Sequence, residues 1–254
     1  MKALRHNHPI LTSLVLLVMA FMSLALGAKV VGNPYLNTPQ YLLTYVIPLL
    51  LVGVILGLAQ CWSIGAWRSG TLRDAVRLGW PVLLTSALLM TVGLLAEHSH
   101  SAGAGQRLLL LIAAMFLTAT FEEFIYRGFI LAIVLPLGRV RAVIASSLIF
   151  ALSHLANLIT QPEAVITTGT QVVYTFFLGV VLASIYLRTR NIWLVVGLHM
   201  VFNVTGSLTS IFYTPGPASG DISVPTAAIQ LVLVVPLFIG AIRCLKKSSG
   251  NVQQ

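Results

Sequence analysis

The chain has 254 residues, of which 57% are hydrophobic and only 8% are charged. A soluble globular domain carries about 25% charged residues. This composition therefore excludes a soluble globular protein and indicates a protein surrounded by lipid. The net charge of +9 does not indicate nucleic-acid binding, because the basic residues lie in short gaps between apolar runs rather than clustered with aromatic residues on one face.

Apolar runs follow one another along the whole chain. A membrane-spanning helix needs about 20 predominantly apolar residues. Eight runs of roughly that kind occur, at Pro9–Gly27, Tyr41–Trp62, Trp80–Ala96, Leu108–Leu137, Val140–Thr160, Val165–Leu187, Ile192–Phe212 and Thr226–Leu245. We therefore expect an all-α fold, a polytopic membrane protein of about eight transmembrane helices, with residues 1–254 forming a single transmembrane domain.

The first run has two interpretations. It follows Lys2 and Arg5 and ends in the small-residue stretch Ala25–Ala28, which is also typical of a cleaved signal peptide. Its apolar stretch is longer than the usual 7–15-residue core of a signal peptide, and further runs follow at once. A retained first helix is the favoured prediction, and cleavage is the alternative.

The basic residues alternate between the gaps. One set of gaps contains twelve of them: Lys2, Arg5, Arg68, Arg73, Arg77, Arg139, Arg141, Arg188, Arg190, Arg243, Lys246 and Lys247. The other set contains only Lys29 and Arg107. The positive-inside rule then predicts a multi-pass protein with both termini cytoplasmic. Short loops and the lack of targeting signals favour the plasma membrane of a bacterium.

The fourth run contains charged residues near its middle, namely Glu122, Glu123 and Arg127. Each costs about 2.5–3.5 kcal/mol at the centre of a spanning helix, so such residues usually face a bundle interior or a water-filled cavity. Glu123 and Arg127 are four residues apart and are expected to form an ion pair on one helix face. Glu122 points elsewhere and is predicted to be the free carboxylate. The structural alternative is a charge cluster that only locks helices together.

Two further runs contain polar pairs at a spacing of four residues, Phe150 with His154 and His199 with Asn203. A lone buried histidine is more often a hydrogen-bonded packing residue than a catalyst. A carboxylate, two imidazoles and an amide on three helices nevertheless form a coherent set. They include a base for water, a group to hold that water, and donors for an oxyanion, as amide hydrolysis requires.

These residues form three motifs, which occur along the chain in the order Glu122-Glu123-Phe-Ile-Tyr-Arg127, Phe150-Ala-Leu-Ser-His154 and His199-Met-Val-Phe-Asn203. In residue type, spacing, order and helix placement they resemble the CPBP family, the CAAX prenyl protease and bacteriocin-processing (Abi) intramembrane glutamic peptidases. The resemblance covers a catalytic core of about residues 108–207, and the other helices contain no motif.

The resemblance implies a role for each matching residue, with the active site buried in the helix bundle. Glu122 would be the general base that activates water, and His154 would position that water. His199 and Asn203 would stabilise the oxyanion. Structural support of the site would come from Glu123, Arg127 and Phe150.

The resemblance also implies an intramembrane endopeptidase whose partner is a membrane-associated peptide or protein. The substrate would be a CAAX-type C-terminus, a bacteriocin leader or a signalling protein. Two other classes remain open, a transporter or proton-coupled carrier and a non-catalytic membrane scaffold. A transporter would be expected to show internal repeats and matching broken helices, and neither is evident in the sequence.

The same residues also allow a metal site. Glu122, His154 and His199 form a two-histidine, one-carboxylate set of the kind that binds catalytic zinc. The metal-free interpretation is favoured, because His199 and Asn203 share a face as oxyanion donors and a zinc-bound nitrogen of His199 is lost for that purpose. No cofactor is therefore expected, with zinc as the alternative.

Overall fold

The computed structural model describes residues 8–58, 72–95, 103–212 and 221–250. Within these ranges every regular element is a helix, which confirms the predicted all-α fold. The α-helices are α1 (Pro9–Val31), α2 (Pro39–Leu43), α3 (Val46–Leu58), α4 (Leu72–Leu95), α5 (Ala104–Glu123), α6 (Leu131–Val134), α7 (Arg139–Ser153), α8 (Asn157–Thr160), α9 (Val165–Thr189), α10 (Ile192–Gly206), α11 (Val224–Leu233) and α12 (Val235–Gly250).

Several helical segments are long and apolar enough to cross a membrane, so the chain is a multi-pass membrane protein. Among the described residues there are six: Pro9–Val31, Pro39–Leu58, Val76–Leu95, Ala104–Leu137, Arg139–Thr160 and Val165–Thr189. A seventh arises if α11 and α12, which meet at a bend of 46°, are counted as one span.

Of the predicted spanning helices, the seventh, Ile192–Phe212, differs most from the structure. Its α-helix, α10, has 15 residues and ends at Gly206, and the chain then continues as a 3₁₀ helix over Leu208–Phe212. At 1.5 Å per residue α10 is about 22 Å long, shorter than the hydrocarbon core of about 30 Å. Much of α10 is buried by neighbouring helices, so it belongs to the interior of the bundle.

The surface of the bundle is apolar, as lipid contact requires. On α1 the buried positions are small, including Ser13, Ala20 and Gly27. Its large side chains, such as Val18 and Met22, are exposed. This distribution is the reverse of that in a soluble helix, because small residues let membrane helices approach closely while large apolar residues face lipid.

α9 is the most buried of the spans and packs against α7 and α12. α10 lies between α4 and α5. α5, α7 and α10 each pack against the segment Phe124–Ile130. The three segments that contain the sequence motifs therefore meet in the interior of the bundle.

The two runs that contain the first and second motifs are not continuous α-helices. In the fourth, α5 ends at Glu123, a π-helix follows over Phe124–Ile130, and a 3₁₀ turn follows α6. In the fifth, a 3₁₀ turn over His154–Ala156 separates α7 from α8. Apolar periodicity does not reveal these changes, since a buried helix is apolar on every side. Single-turn irregularities of both kinds often occur at functional sites.

Part of the topology prediction lies outside the described residues. This applies to Lys2, Arg5 and Arg68, to the predicted end of the second run at Trp62, and to the C-terminal Gln254.

Candidate active site

Glu123 is at the centre of a buried ionic cluster. Its Oε2 atom lies 3.0 Å from Nε of Arg127, and both side chains are almost fully buried. The ion pair expected from the spacing of these two residues is therefore present. The second contact was not predicted: Oε1 of Glu123 lies 2.7 Å from Nδ1 of His199 on α10.

The Arg127 guanidinium is held by charge and by aromatic rings rather than by directed hydrogen bonds. Its central carbon lies 4.4 Å from the ring centroid of Phe150 and 5.9 Å from that of Tyr126. Its three nitrogen atoms make no hydrogen bond to any described residue. Cation–π contact of this kind gains strength when the cation is desolvated, so Phe150 helps to hold the charge inside the bundle.

Glu122 lies on the opposite side of the His199 imidazole from Glu123. Its Oε2 atom is 3.5 Å from Nε2 of His199, and 23% of its side chain remains exposed. The two consecutive glutamates therefore flank the two nitrogen atoms of one histidine. Glu123 is enclosed by Arg127 and His199, whereas Glu122 has no described hydrogen bond and retains access to the outside.

The tautomer of His199 follows from these contacts. A carboxylate that faces an arginine is an acceptor, so the 2.7 Å contact with Glu123 requires the proton on Nδ1 of His199. Nε2 then faces Glu122 and donates only when the ring carries a second proton.

His154 is the first residue of the 3₁₀ turn that ends α7. Its Nδ1 atom lies 3.0 Å from the carbonyl oxygen of Phe150. A carbonyl only accepts, so Nδ1 donates, and Nε2 of the neutral ring is left as an acceptor. The Phe150 ring contacts both imidazoles edge-on, with centroid distances of 5.0 Å to His154 and 5.8 Å to His199.

Tyr126 and Ser153 connect the first motif to the second. The Tyr126 hydroxyl donates to Oγ of Ser153 at 2.7 Å, and the Ser153 hydroxyl donates to the carbonyl oxygen of Phe150 at 2.6 Å. Neither residue is among the site residues predicted from the sequence. Their positions contain a signal, because Tyr126 lies inside the first motif and Ser153 directly precedes His154.

Asn203 lies one turn after His199 on α10 and is half-buried. Its side chain makes no hydrogen bond to a described residue, so its amide group is available to a ligand. The neighbouring Phe202 packs on Tyr174 of α9 with a centroid distance of 5.8 Å, which holds this part of α10 in place.

The described residues contain no group of three or more His, Cys, Asp or Glu side chains arranged to hold a metal ion. Glu122, His154 and His199 are thus not gathered as a ligand set in this arrangement. Both imidazoles use Nδ1 for contacts with protein oxygens, which leaves only their Nε2 atoms free to bind anything else.

Together, the fold and the site define a multi-pass membrane protein with a carboxylate–imidazole cluster inside its helix bundle. Residues 104–205 match the family model of the Rce1-like type II CAAX prenyl endopeptidases. This match includes all three motifs and confirms the resemblance drawn from them. Over these residues the chain is similar to a family of CAAX-type endopeptidases. Comparisons with curated proteins and with solved structures give no match.

Proposed function

We propose that this protein hydrolyses a peptide bond of a membrane-associated protein with a water molecule activated by Glu122. The observation that carries the proposal is the unequal pair of glutamates. Glu123 is fully buried between Arg127 and His199, while Glu122 is partly exposed beside the same histidine. A carboxylate that reaches substrate and water must retain such access, so Glu122 is the base.

In the first step a water molecule donates one hydrogen bond to Glu122 and one to Nε2 of His154. Glu122 takes the proton as the water oxygen bonds to the carbonyl carbon of the substrate. The carbonyl oxygen becomes an oxyanion and accepts hydrogen bonds from Asn203 and His199. Glu122 then gives its proton to the leaving nitrogen as the C–N bond breaks, which yields a carboxylic acid and an amine.

The role of His199 depends on Glu123. To donate from Nε2, the His199 ring must carry protons on both nitrogen atoms. The Glu123 carboxylate at 2.7 Å from Nδ1 stabilises that cationic ring and fixes its orientation. A buried carboxylate behind a catalytic histidine has this function in other hydrolases.

The CAAX-type C-terminus is the substrate class that the family supports best. Bacteriocin leaders and signalling proteins are the other classes that the motifs leave open. In each case the substrate is membrane-associated, because Glu122 and His199 lie on helices of the bundle and the outer surface of that bundle is apolar.

The test compares Glu122→Gln with Glu163→Gln, an exposed glutamate in the turn before α9. The purified variants are reconstituted in liposomes with a prenylated CAAX peptide whose cleavage is followed by mass spectrometry. Glu122→Gln should lower kcat by about 10²–10⁴-fold with little change in thermal stability, because the isostere keeps the shape and removes the base. Equal turnover by Glu122→Gln and the wild type would remove Glu122 from the mechanism.

We propose further that the reaction needs no metal. The purified protein should remain active after dialysis against a strong chelator and contain well below one zinc per chain by elemental analysis. Stoichiometric zinc, with activity lost on removal and restored on return, would instead make Glu122, His154 and His199 ligands.

A further inference from the structure

The carbonyl group of Phe150 leaves the α-helical hydrogen-bond pattern at the end of α7. The backbone N–H of His154, which a continued α-helix would join to this carbonyl, turns instead to the carbonyl groups of Ala151 and Leu152. The Phe150 oxygen accepts from Nδ1 of His154 at 3.0 Å and from the Ser153 hydroxyl at 2.6 Å. This oxygen therefore has two side-chain donors, and one of them is the imidazole of the second motif.

The hydrogen bonds that lead to this carbonyl have a fixed direction. A carbonyl oxygen only accepts, so the Ser153 hydroxyl gives its single proton to Phe150. The Ser153 oxygen is then left to accept, and it accepts from the Tyr126 hydroxyl at 2.7 Å. All three residues are buried, so bulk water has little access to these bonds. We call this series from Tyr126 through Ser153 to the Phe150 carbonyl the hydroxyl chain.

The hydroxyl chain joins the segment that follows the proposed base to the residue that orients His154. Tyr126 lies in the π-helix, four residues after Glu122. Its ring also packs on Phe150, with a centroid distance of 4.8 Å, so both its ring and its hydroxyl contact the end of α7. The position of the His154 imidazole relative to the first motif therefore depends on these contacts.

We propose that Tyr126 and Ser153 are positioning residues, which hold the Phe150 carbonyl so that Nε2 of His154 faces the attacking water. The inference deepens the proposed function and rests on it. In that mechanism Nε2 must accept from the water while Glu122 takes a proton from it, so a rotation of the imidazole would move the acceptor away. A carbonyl with a fixed position holds Nδ1–H, and with it the orientation and the tautomer of the ring.

The test compares Ser153→Ala with Ser146→Ala in the liposome assay. Ser146 is the matched control, because its buried hydroxyl also joins α7 to Tyr126 but donates to the Tyr126 carbonyl, at 3.0 Å, rather than to that of Phe150. Ser153→Ala should lower kcat about three- to tenfold, the effect of one lost hydrogen bond, with KM unchanged, since the water and not the substrate is misplaced. Ser146→Ala should lower Tm to a similar extent and retain the wild-type kcat.

Two results of this comparison would overturn the proposal. Equal losses of kcat in Ser153→Ala and Ser146→Ala would show that these serines only tie two segments together. An effect of Ser153→Ala on KM alone would place the hydroxyl chain in substrate binding rather than in the positioning of water.

A double variant tests whether the hydroxyls act in series. Tyr126→Phe keeps the ring on Phe150 and should lower kcat less than Ser153→Ala. The double variant should have the kcat of Ser153→Ala, because without Ser153 the Tyr126 hydroxyl has nothing to act through. Its Tm should lie above that of Ser153→Ala, since the single variant leaves a buried hydroxyl without its acceptor. Losses of kcat that multiply, or a further fall in Tm, would contradict the hydroxyl chain.

The two proposals fail in different ways. Absence of peptide cleavage by the wild type, or full activity of Glu122→Gln, would remove the proposed function itself. An active wild type, an inactive Glu122→Gln and an unchanged kcat in Ser153→Ala would overturn only the role of Tyr126 and Ser153. Thermal unfolding of every variant separates loss of positioning from loss of folded protein.

Discussion

Glu123 combines two tasks in one carboxylate. One oxygen faces Arg127 and the other accepts from His199, and neither side chain partner is exposed. A buried arginine is costly unless a charge of opposite sign lies against it, so Glu123 stabilises the fold. The same carboxylate holds the proton of His199 on Nδ1, so in the proposed mechanism it also affects the chemistry.

We expect Glu123→Gln to lower both stability and activity. The amide oxygen of glutamine still accepts from His199, but the neutral side chain leaves Arg127 without its counter-charge. Breaking a buried pair in this way costs about 3–5 kcal/mol. Thermal unfolding in detergent should show a lowered Tm, and kcat should fall at least tenfold, since the cationic form of His199 loses its partner.

Glu163→Gln serves again as the control for Glu123→Gln, because that side chain is exposed and its substitution should change neither Tm nor kcat. A Glu123→Gln protein with a wild-type Tm would mean that Arg127 finds other compensation. A lowered Tm with unchanged kcat would restrict Glu123 to structural support.

At the scale of elements, both proposed catalytic turns lie where a helix changes its hydrogen-bond pattern. The π-helix begins directly after Glu123, and its Tyr126 carbonyl accepts from the Ser146 hydroxyl of α7 at 3.0 Å. The 3₁₀ turn begins at His154. Glu122 lies beside His199, His154 lies beside Phe150, and Phe150 also contacts His199, so both proposed catalytic residues border one cluster of aromatic and imidazole rings.

The contact between α7 and α9 depends on a glycine. A Cβ atom at Gly179 would lie 3.0 Å from Cβ of Ser147, so the two helix backbones approach closely there. We expect Gly179→Leu to destabilise the protein by about 1–3 kcal/mol through overpacking, visible as a lowered Tm. Gly169→Leu on the same helix is the control, because nothing lies within 4 Å of its Cβ position. Equal Tm values for the two variants would contradict this packing.

Asp221 fastens the start of α9 to the segment before α11. Its carboxylate accepts from the backbone N–H groups of Ile166, Thr167 and Ile222 and from the Thr167 hydroxyl. Desolvation raises the pKa of Asp221, but the four hydrogen bonds together outweigh this effect and lower the pKa to about 2. The lowered pKa means that the charged form is the one that holds the two segments together.

The pH dependence follows from the sign of that shift. A carboxyl whose folded pKa is about 2, below its ordinary value of 3.8, contributes stability above pH 4 and loses it as the pH falls toward 2. The Tm of Asp221→Ala should therefore lie below that of the wild type at pH 6 and approach it near pH 2. A Tm difference that persists at pH 2 would show that the charge is not responsible.

At the scale of the whole molecule, the exposed arginines among the described residues lie at one end of the bundle. Gly240 lies against Pro81 and Val181, and Arg243 lies over the Trp80 ring at 5.4 Å, which aligns the start of α4 with the ends of α9 and α12. α7 runs antiparallel to α9 and begins at that end. The exposed arginines there are Arg73, Arg77, Arg139, Arg141, Arg188, Arg190 and Arg243.

Arg107 lies toward the opposite end, where it donates to the carbonyl oxygen of Ile211 after α10. The positive-inside rule then predicts that the arginine-rich end faces the cytoplasm. Reporter fusions at Gln254 and within residues 68–77 should both read as cytoplasmic, and a fusion near Lys29 as external. An external reading at Gln254 would contradict the predicted even number of spans.

The sequence alone determined that this is a polytopic membrane protein. A helix surrounded by lipid needs few charged residues and about 20 apolar ones, and both features can be read from the sequence. Apolar runs and basic gaps need no knowledge of contacts, so the polytopic all-α fold was predictable. The ion pair of Glu123 with Arg127 was predictable for the same reason, since a spacing of four residues is local.

Only the tertiary structure decided how the three motifs meet. The contact of Glu123 with His199 joins residues 76 positions apart, and helix periodicity contains no information about which helices become neighbours. The π-helix and 3₁₀ turns were hidden because a buried helix is apolar all round, and α10 was shorter than its apolar run. Tyr45 and Thr118, 73 positions apart, pair because a helix break turns the tyrosine toward α5, and such a direction arises only when the bundle packs.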